Sequence, residues 1–358
     1  CSPGTYQPST GQSSCIDASA GYYVLYYNST SQTACPVGTY QPSTGQSFCL
    51  DATPGHYVNT IASTSQTPCG IGSYQPLYGQ DRCNLADSGY YVPTTGSVNQ
   101  TACDPGTFQP NMGSSSCIES PAGHYVDTSA ATSPTPCWSG TYNPSMGSSS
   151  ADACLQADPG NSVPMGGSSY QTPCTPGHYQ PASGQVVCLN ADAGYYVAVH
   201  GANSQITCGL GTFNPDTAQS SCTDASAGHY VDTPASTSQF ACTAGTYNPS
   251  TGSSSAADCL PTDAGNYVPM AGAAAQIPCA AGSYQPSLGQ ASCILADPGH
   301  YVPSEQSQTQ SECLLGTFQA YSGSSSCSDA EPGHYVDSNG SSSQTDCPPT
   351  TYNPATGS

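Results

Sequence analysis

The chain has 358 residues, of which 21 are cysteine, 38 glycine and 32 proline, and its formal net charge at pH 7 is −21. Its one basic residue is Arg82, so it cannot neutralise nucleic-acid phosphates, and the absence of lysine excludes Schiff-base chemistry and P-loop nucleotide binding. No apolar run approaches the roughly 18 residues that a membrane span needs. The sequence starts at Cys1 and stops inside a repeat, so we expect a mature segment of something longer.

The cysteines predict disulfides, because the chain has neither C-x-x-C nor a Cys/His spacing typical of metal sites. Disulfides persist in oxidising compartments, so we expect an extracellular protein that is secreted, on a cell surface or in an appendage. Only 6% of the residues are charged, which leaves hydroxyls, amides and glycans to keep the chain in solution.

Cysteine spacings alternate between 14 and 20 residues, except that Cys137 to Cys154 and Cys242 to Cys259 each span 17. The period is therefore 34 residues with two three-residue insertions, which is typical of a repeat array. The predicted cysteine-rich repeats are 1–34, 35–68, 69–102, 103–136, 137–173, 174–207, 208–241, 242–278, 279–312 and 313–346, followed by a truncated eleventh repeat, 347–358.

Each repeat consists of two 17-residue halves. Gly4 with Tyr6 recurs as Gly21 with Tyr23, and the second half carries Ala18 and Gln32 where the first has its two cysteines. A longer period of 105 residues relates Gly-His-Tyr-Val-Asp at 123–127, 228–232 and 333–337.

The joint loss of both cysteines from every second half indicates that the two are bonded to each other. This predicts the pairs Cys1–Cys15, Cys35–Cys49, Cys69–Cys83, Cys103–Cys117, Cys137–Cys154, Cys174–Cys188, Cys208–Cys222, Cys242–Cys259, Cys279–Cys293 and Cys313–Cys327. Cys347 then has no partner because the segment stops. The rival pairing, Cys15 with Cys35 and onward, strands Cys1 instead, so parity does not decide between them.

Frequent glycine and proline exclude α-helices, whereas aromatic and β-branched residues beside glycine predict short strands. We expect small disulfide-rich repeats that form an extended, solenoid-like rod of short β-hairpins and turns. Segments such as Pro8–Gly11 are expected to turn the chain, with glycine at positive φ. Because 17 residues cannot bury a core alone, we expect the repeated tyrosines to stack as a ladder between adjacent units.

The unit Cys35-Pro-Val-Gly38-Thr-Tyr40, followed by Cys49, resembles the C-x-x-G-x-Y…C unit of ephrin-receptor-like cysteine-rich repeats. It is also similar to the first submodule of tumour-necrosis-factor-receptor cysteine-rich domains. The resemblance implies that the two cysteines of a unit bond to each other and that the setting is extracellular, and it names no ligand. Every second unit departs from the pattern by lacking both cysteines.

Nothing in the sequence predicts catalysis, since the common hydrolase, zinc-protease and dinucleotide motifs are all missing. In the cysteine-free halves, histidine follows glycine where tyrosine stands in other repeats, which indicates a partly exposed strand position. These histidines are His56, His124, His229, His300 and His334.

An acidic residue follows each second cysteine, two or four residues later, and is expected to cap a turn or, alternatively, to bind Ca²⁺. The best calcium candidates pair Glu119 with Asp127, or Asp224 with Asp232. No other cofactor is expected. Covalent N-glycans are expected at the sequons of Asn28, Asn99 and Asn339, and O-glycans on serine-rich stretches.

These observations predict a non-enzymatic, glycosylated structural protein that builds a filament, surface appendage or matrix. Its partners would be copies of itself or other matrix and filament proteins. The alternative is the ectodomain stalk of a receptor or adhesin that binds a protein or glycan ligand.

Overall fold

The computed structural model describes residues 1–357, which form twenty two-stranded antiparallel hairpins. Each strand has two residues, and each 17-residue half contributes one hairpin. The two insertions add short 3₁₀-helices, Ala151–Ala153 and Ala256–Asp258, and the described residues contain no α-helix. The prediction of small disulfide-rich hairpin units is confirmed.

Half of the hairpins carry a disulfide and alternate along the chain with cystine-free ones. The disulfide hairpins pair Thr5–Tyr6 with Ile16–Asp17, Thr39–Tyr40 with Leu50–Asp51, Ser73–Tyr74 with Asn84–Leu85, Thr107–Phe108 with Ile118–Glu119, Thr141–Tyr142 with Leu155–Gln156, His178–Tyr179 with Leu189–Asn190, Thr212–Phe213 with Thr223–Asp224, Thr246–Tyr247 with Leu260–Pro261, Ser283–Tyr284 with Ile294–Leu295, and Thr317–Phe318 with Ser328–Asp329. The cystine-free hairpins pair Tyr22–Tyr23 with Thr33–Ala34, His56–Tyr57 with Thr67–Pro68, Tyr90–Tyr91 with Thr101–Ala102, His124–Tyr125 with Thr135–Pro136, Asn161–Ser162 with Thr172–Pro173, Tyr195–Tyr196 with Ile206–Thr207, His229–Tyr230 with Phe240–Ala241, Asn266–Tyr267 with Ile277–Pro278, His300–Tyr301 with Ser311–Glu312, and His334–Tyr335 with Thr345–Asp346.

Each disulfide closes its own hairpin. The bonds join cysteines 14 residues apart in eight hairpins and 17 apart in the two with insertions. The arrangement is the one in which Cys1 bonds Cys15, and not the rival in which Cys15 bonds Cys35. Cys347 is the free cysteine of the described residues.

The core is built from small side chains, so the expected tyrosine ladder is wrong. The first cysteine of every pair except Cys1–Cys15 is buried, as with Cys35, and Ala18 fills the equivalent place in a cystine-free hairpin. Valines such as Val197 complete the core, whereas the repeated tyrosines are half-buried at the surface. One ring pair is recorded in residues 1–357, Tyr230 with Phe240 at 5.7 Å, and it lies within a single hairpin.

Eight of the ten disulfide hairpins bury an amide side chain at the place where the cystine-free hairpins bury valine. Gln41, for example, is 3% exposed; its Nε2 donates to the Phe48 carbonyl at 2.9 Å and its Oε1 accepts from the Ser43 N–H at 3.1 Å. Because both polar atoms are hydrogen-bonded, the amide can be buried without an unpaired group. Through these hydrogen bonds the buried amides fix the position of the segment that connects the two strands.

Successive hairpins are joined by a repeating set of backbone hydrogen bonds. The Gly21 N–H donates to the Gln41 carbonyl at 2.8 Å, the Val24 N–H to Gln46 at 3.1 Å, and the Gly45 N–H back to Ala18 at 2.8 Å. The same three bonds recur far along the chain, for example from Gly228 to Asn248 at 2.7 Å. Each hairpin therefore covers the backbone groups of the next one.

Each hairpin also contacts its second neighbour through glycine. A Cβ atom on Gly4 would lie 2.2 Å from the carbonyl oxygen of Gly45, two hairpins later, and one on Gly194 would lie 2.2 Å from that of Ala235. Disulfide hairpins thus stack on disulfide hairpins, and cystine-free hairpins on cystine-free ones. Contacts between hairpins therefore extend beyond the adjacent hairpin to the second neighbour.

The structure divides into two compact units. One comprises residues 1–172 and 182–187, and the other comprises 173–181 and 188–358. The hydrogen-bond pattern and the glycine contacts above recur inside each unit. Across the described part of the chain, no helix has the length and apolar character that crossing a membrane would require.

Candidate functional site

The histidines do not converge. Those after glycine begin a strand and are half-buried. In all of them except His334, Nδ1 lies near a carbonyl two residues back, as in His124 to Ala122 at 3.3 Å. His334 also approaches Asp346, with 2.9 Å between its Nε2 and the carboxylate oxygen. His178 has the same setting in a disulfide hairpin, a position that sequence reading passed over. The pattern is that of a strand residue that pairs locally.

No group of three or more His, Cys, Asp or Glu side chains within residues 1–357 is arranged to hold a metal ion. Glu119 and Asp224, the first members of the two calcium candidate pairs, lie on exposed strands opposite threonines. The cation needs six to eight oxygen ligands, so a third carboxylate would normally contribute. Calcium binding stays a prediction.

The acidic residues four positions after the second cysteine contact a glutamine side chain. In the cystine-free hairpin at 86–102, the Asp87 N–H donates to Oε1 of Gln100 at 2.7 Å, and Gln100 Nε2 donates to the Asp87 carboxylate at 2.7 Å. The carboxylate of Asp87 thus accepts from a side chain and does not cap a turn. It holds the glutamine that replaces the second cysteine.

This two-point contact, which we call the glutamine clasp, recurs along the chain. One of its two hydrogen bonds runs from a backbone N–H to the Oε1 of a glutamine thirteen residues later. This bond is 2.7–2.8 Å long in nine hairpins. The accepting residues are Gln32, Gln66, Gln100, Gln171, Gln205, Gln239, Gln276, Gln310 and Gln344. The hairpin at 120–136 has Pro134 at this place. The clasp closes a cystine-free hairpin where a disulfide closes its neighbours.

Replacing Gln205 with alanine is expected to open the hairpin at 191–207 locally. The Asp192 N–H loses its acceptor, 2.7 Å away, and the carboxylate loses its donor, a loss of about 1 kcal/mol for partly solvated hydrogen bonds. Amide hydrogen exchange at Asp192 should accelerate while that at Asp263, in an untouched clasp, stays unchanged. Unaltered exchange at Asp192 would show that the clasp carries no local stability.

The expected glycosylation sites are accessible. Asn28, Asn99 and Asn339 are all exposed, and each lies in the connection between the strands of a cystine-free hairpin. Asn339 Oδ1 accepts from the Leu315 N–H at 3.1 Å, which leaves its Nδ2, the atom that an N-glycan modifies, without a bond to the chain. Modification at these residues stays a prediction.

Five depressions on the surface of residues 1–357 are all open to solvent. A typical depression, of about 380 Å³, is open and lies beside one connecting loop, where it is lined by Asn248, Gly252, Ser254 and Asp258. The unique residues Arg82 and Trp138 are exposed in different hairpins, and Trp138 is 80% exposed.

Residues 21–69 and 89–137 match the family described as tyrosine-protein kinase ephrin type A/B receptor-like. Each matched segment contains one disulfide hairpin between two cystine-free hairpins. The resemblance predicted from the cysteine and tyrosine spacing is confirmed for these segments. No curated protein matches the chain. Together, the disulfides and this family indicate an extracellular module of a ligand-binding or structural kind.

Proposed function

We propose that the chain is a non-enzymatic structural repeat protein, used as a building block of an extracellular filament, surface appendage or matrix. The observation that carries the proposal is the recurrence of the same three backbone hydrogen bonds from hairpin to hairpin. Such an array can be lengthened without changing its interfaces, because each hairpin depends on its first and second neighbours. A structural repeat protein needs interfaces that stay the same as the array lengthens. A ligand pocket instead needs several different residue types placed close together.

Charge and surface chemistry support the same use. With 22 acidic residues and one basic residue, the surface is negatively charged and strongly hydrated. Glycans on Asn28, Asn99 and Asn339 would add to this coat, and intact native material would then exceed the bare mass of 36.3 kDa. The partners would be further copies of the chain or other matrix and filament proteins.

The second candidate is the stalk of a receptor or adhesin. The match of two segments to a receptor-like family favours this candidate. Exposed apolar side chains, such as Trp138, would provide a contact surface for a ligand. A stalk would remain a single flexible molecule, whereas a filament subunit would associate in register.

Electron microscopy of native material separates the two candidates. A structural building block should appear in filaments or sheets whose axial repeat corresponds to the 34-residue or 105-residue period of the sequence. Isolated, unassociated molecules on a cell surface would overturn the proposal and favour the stalk.

A further inference from the structure

Five tyrosines stand apart from the others because the fold makes no use of their rings. We call them the turn tyrosines: each lies in the connection between the two strands of its hairpin and is 65–77% exposed. They are Tyr26, Tyr27, Tyr78, Tyr170 and Tyr321. No hydrogen bond to their hydroxyl groups occurs in the described residues. Elsewhere in the array the equivalent places carry residues of other types, such as Thr94, Thr44 and Ser204, so packing does not require a tyrosine there.

The tyrosines that lie in strands differ from the turn tyrosines in burial and in pairing. Every hairpin but one has an aromatic ring at the end of its first strand; it is half-buried and paired across the hairpin, as Tyr40 is with Leu50. Phenylalanine stands at this place in Phe108, Phe213 and Phe318, which shows that the ring and not the hydroxyl serves the fold.

Composition limits how copies of this chain could be joined covalently. With no lysine, neither amide links to glutamine nor aldehyde links through oxidised lysine can form from its own side chains. Twenty of the 21 cysteines are already bonded within their hairpins. Apart from the single thiol of Cys347, which can join no more than two copies, the exposed phenols are the side chains that offer coupling chemistry at several places along the chain.

We propose that the turn tyrosines are sites of oxidative cross-linking between copies of this chain, through dityrosine. The proposal rests on the proposed function in one respect, that copies meet side by side in the assembled material. Tyr26 and Tyr27 are neighbours in one connection, but every other pair of turn tyrosines lies at least three hairpins apart. Because the glycine contacts of a hairpin reach only its second neighbour, coupling between turn tyrosines of different hairpins requires a second copy.

The reaction balances with one oxidant, hydrogen peroxide, delivered by a haem peroxidase. Each of two phenols loses one electron and one proton to give a phenoxyl radical. The two radicals form a carbon–carbon bond between ring positions next to the oxygens, and the two displaced ring hydrogens move to the oxygens. The two hydrogen atoms removed from the pair reduce one hydrogen peroxide to two waters.

The test treats the purified chain with a plant haem peroxidase and hydrogen peroxide. We expect dityrosine fluorescence and dimers that survive boiling in reductant, with cross-linked peptides that map to the turn tyrosines. A variant with phenylalanine at all five turn tyrosines should lose both signals. The matched control carries phenylalanine at five half-buried strand tyrosines, Tyr40, Tyr74, Tyr142, Tyr247 and Tyr284, and should keep them. Both variants also carry Tyr352→Phe, because Tyr352 is 84% exposed.

Equal loss in both variants, or cross-links that map to the strand tyrosines, would overturn the proposal, as would the absence of reductant-resistant dimers from the unaltered chain. Circular dichroism of both variants checks that the hairpins remain. The result is independent of filament formation, because collisions between dissolved molecules suffice for coupling. Cross-linking without filaments would contradict the proposed function alone.

Discussion

Alanine in place of Gly194 is expected to break the contact between hairpins two apart. Gly194 has φ +84°, a conformation that costs an alanine roughly 1–2 kcal/mol, and its new Cβ would lie 2.2 Å from the carbonyl oxygen of Ala235. Because that oxygen belongs to backbone, the neighbouring hairpin has to move, and we expect a loss above about 3 kcal/mol. Amide exchange across residues 191–241 should show local opening.

Gly201→Ala, in the same hairpin, is the matched control. Gly201 has φ +69°, but its Cβ would meet nothing closer than 3.8 Å. Alanine already occupies the equivalent place with positive φ in other hairpins, as in Ala62 and Ala130. The control should cost no more than about 1–2 kcal/mol. Equal destabilisation by both substitutions would mean that backbone conformation, and not the contact with the second neighbour, sets the requirement for glycine.

Removal of the Cys103–Cys117 disulfide is expected to have a comparable effect. The bond closes a loop of about 15 residues, which corresponds to about 3 kcal/mol in the chain-entropy account. Serine at both positions should therefore allow the hairpin at 103–119 to open, and thermal unfolding should begin at a lower temperature. Unchanged unfolding would show that neighbouring hairpins alone hold this one in place.

A second double variant tests whether a glutamine clasp can stand in for this disulfide. Asp104 already follows Cys103, so Cys103→Ala together with Cys117→Gln recreates the arrangement of Ala86, Asp87 and Gln100. Compared with the serine pair, we expect this variant to regain about 1 kcal/mol, the usual net value of hydrogen bonds of this kind. No gain over serine would contradict the equivalence of clasp and disulfide.

Much of the fold could be predicted from the spacing of a few residue types. The 17-residue recurrence of glycine and tyrosine predicted one hairpin per half, and Gly11 does adopt a positive φ, of 76°, as its turn requires. Local rules suffice for such features because each hairpin closes within its own 17 residues, or 20 where a three-residue insertion occurs.

The core and the contacts between hairpins could not be predicted in the same way. Tyrosine was favoured as the packing residue because it recurs and is large, yet the small side chains of Ala18 and Cys35 are the ones that face neighbouring hairpins. The glycine requirement arises from a backbone contact 41 residues away, between Gly4 and Gly45, which no local pattern reveals.

The candidate site was missed for a different reason. Gln32 and its equivalents were identified as replacements for cysteine, but the hydrogen bonds they make were not anticipated. A signal existed, since Asp87 stands thirteen residues before Gln100 and the same spacing separates Asp192 from Gln205. A repeated pair at constant separation within the array predicts contact more directly than either residue does alone.

The most direct test of the account is to map the cystines of the native protein by mass spectrometry of peptides cut under non-reducing conditions. The alternation of disulfide and clasped hairpins predicts cystine peptides that join Cys1 to Cys15, Cys35 to Cys49 and Cys69 to Cys83, with every later bond likewise inside one hairpin. A cystine that joins Cys15 to Cys35 would contradict it.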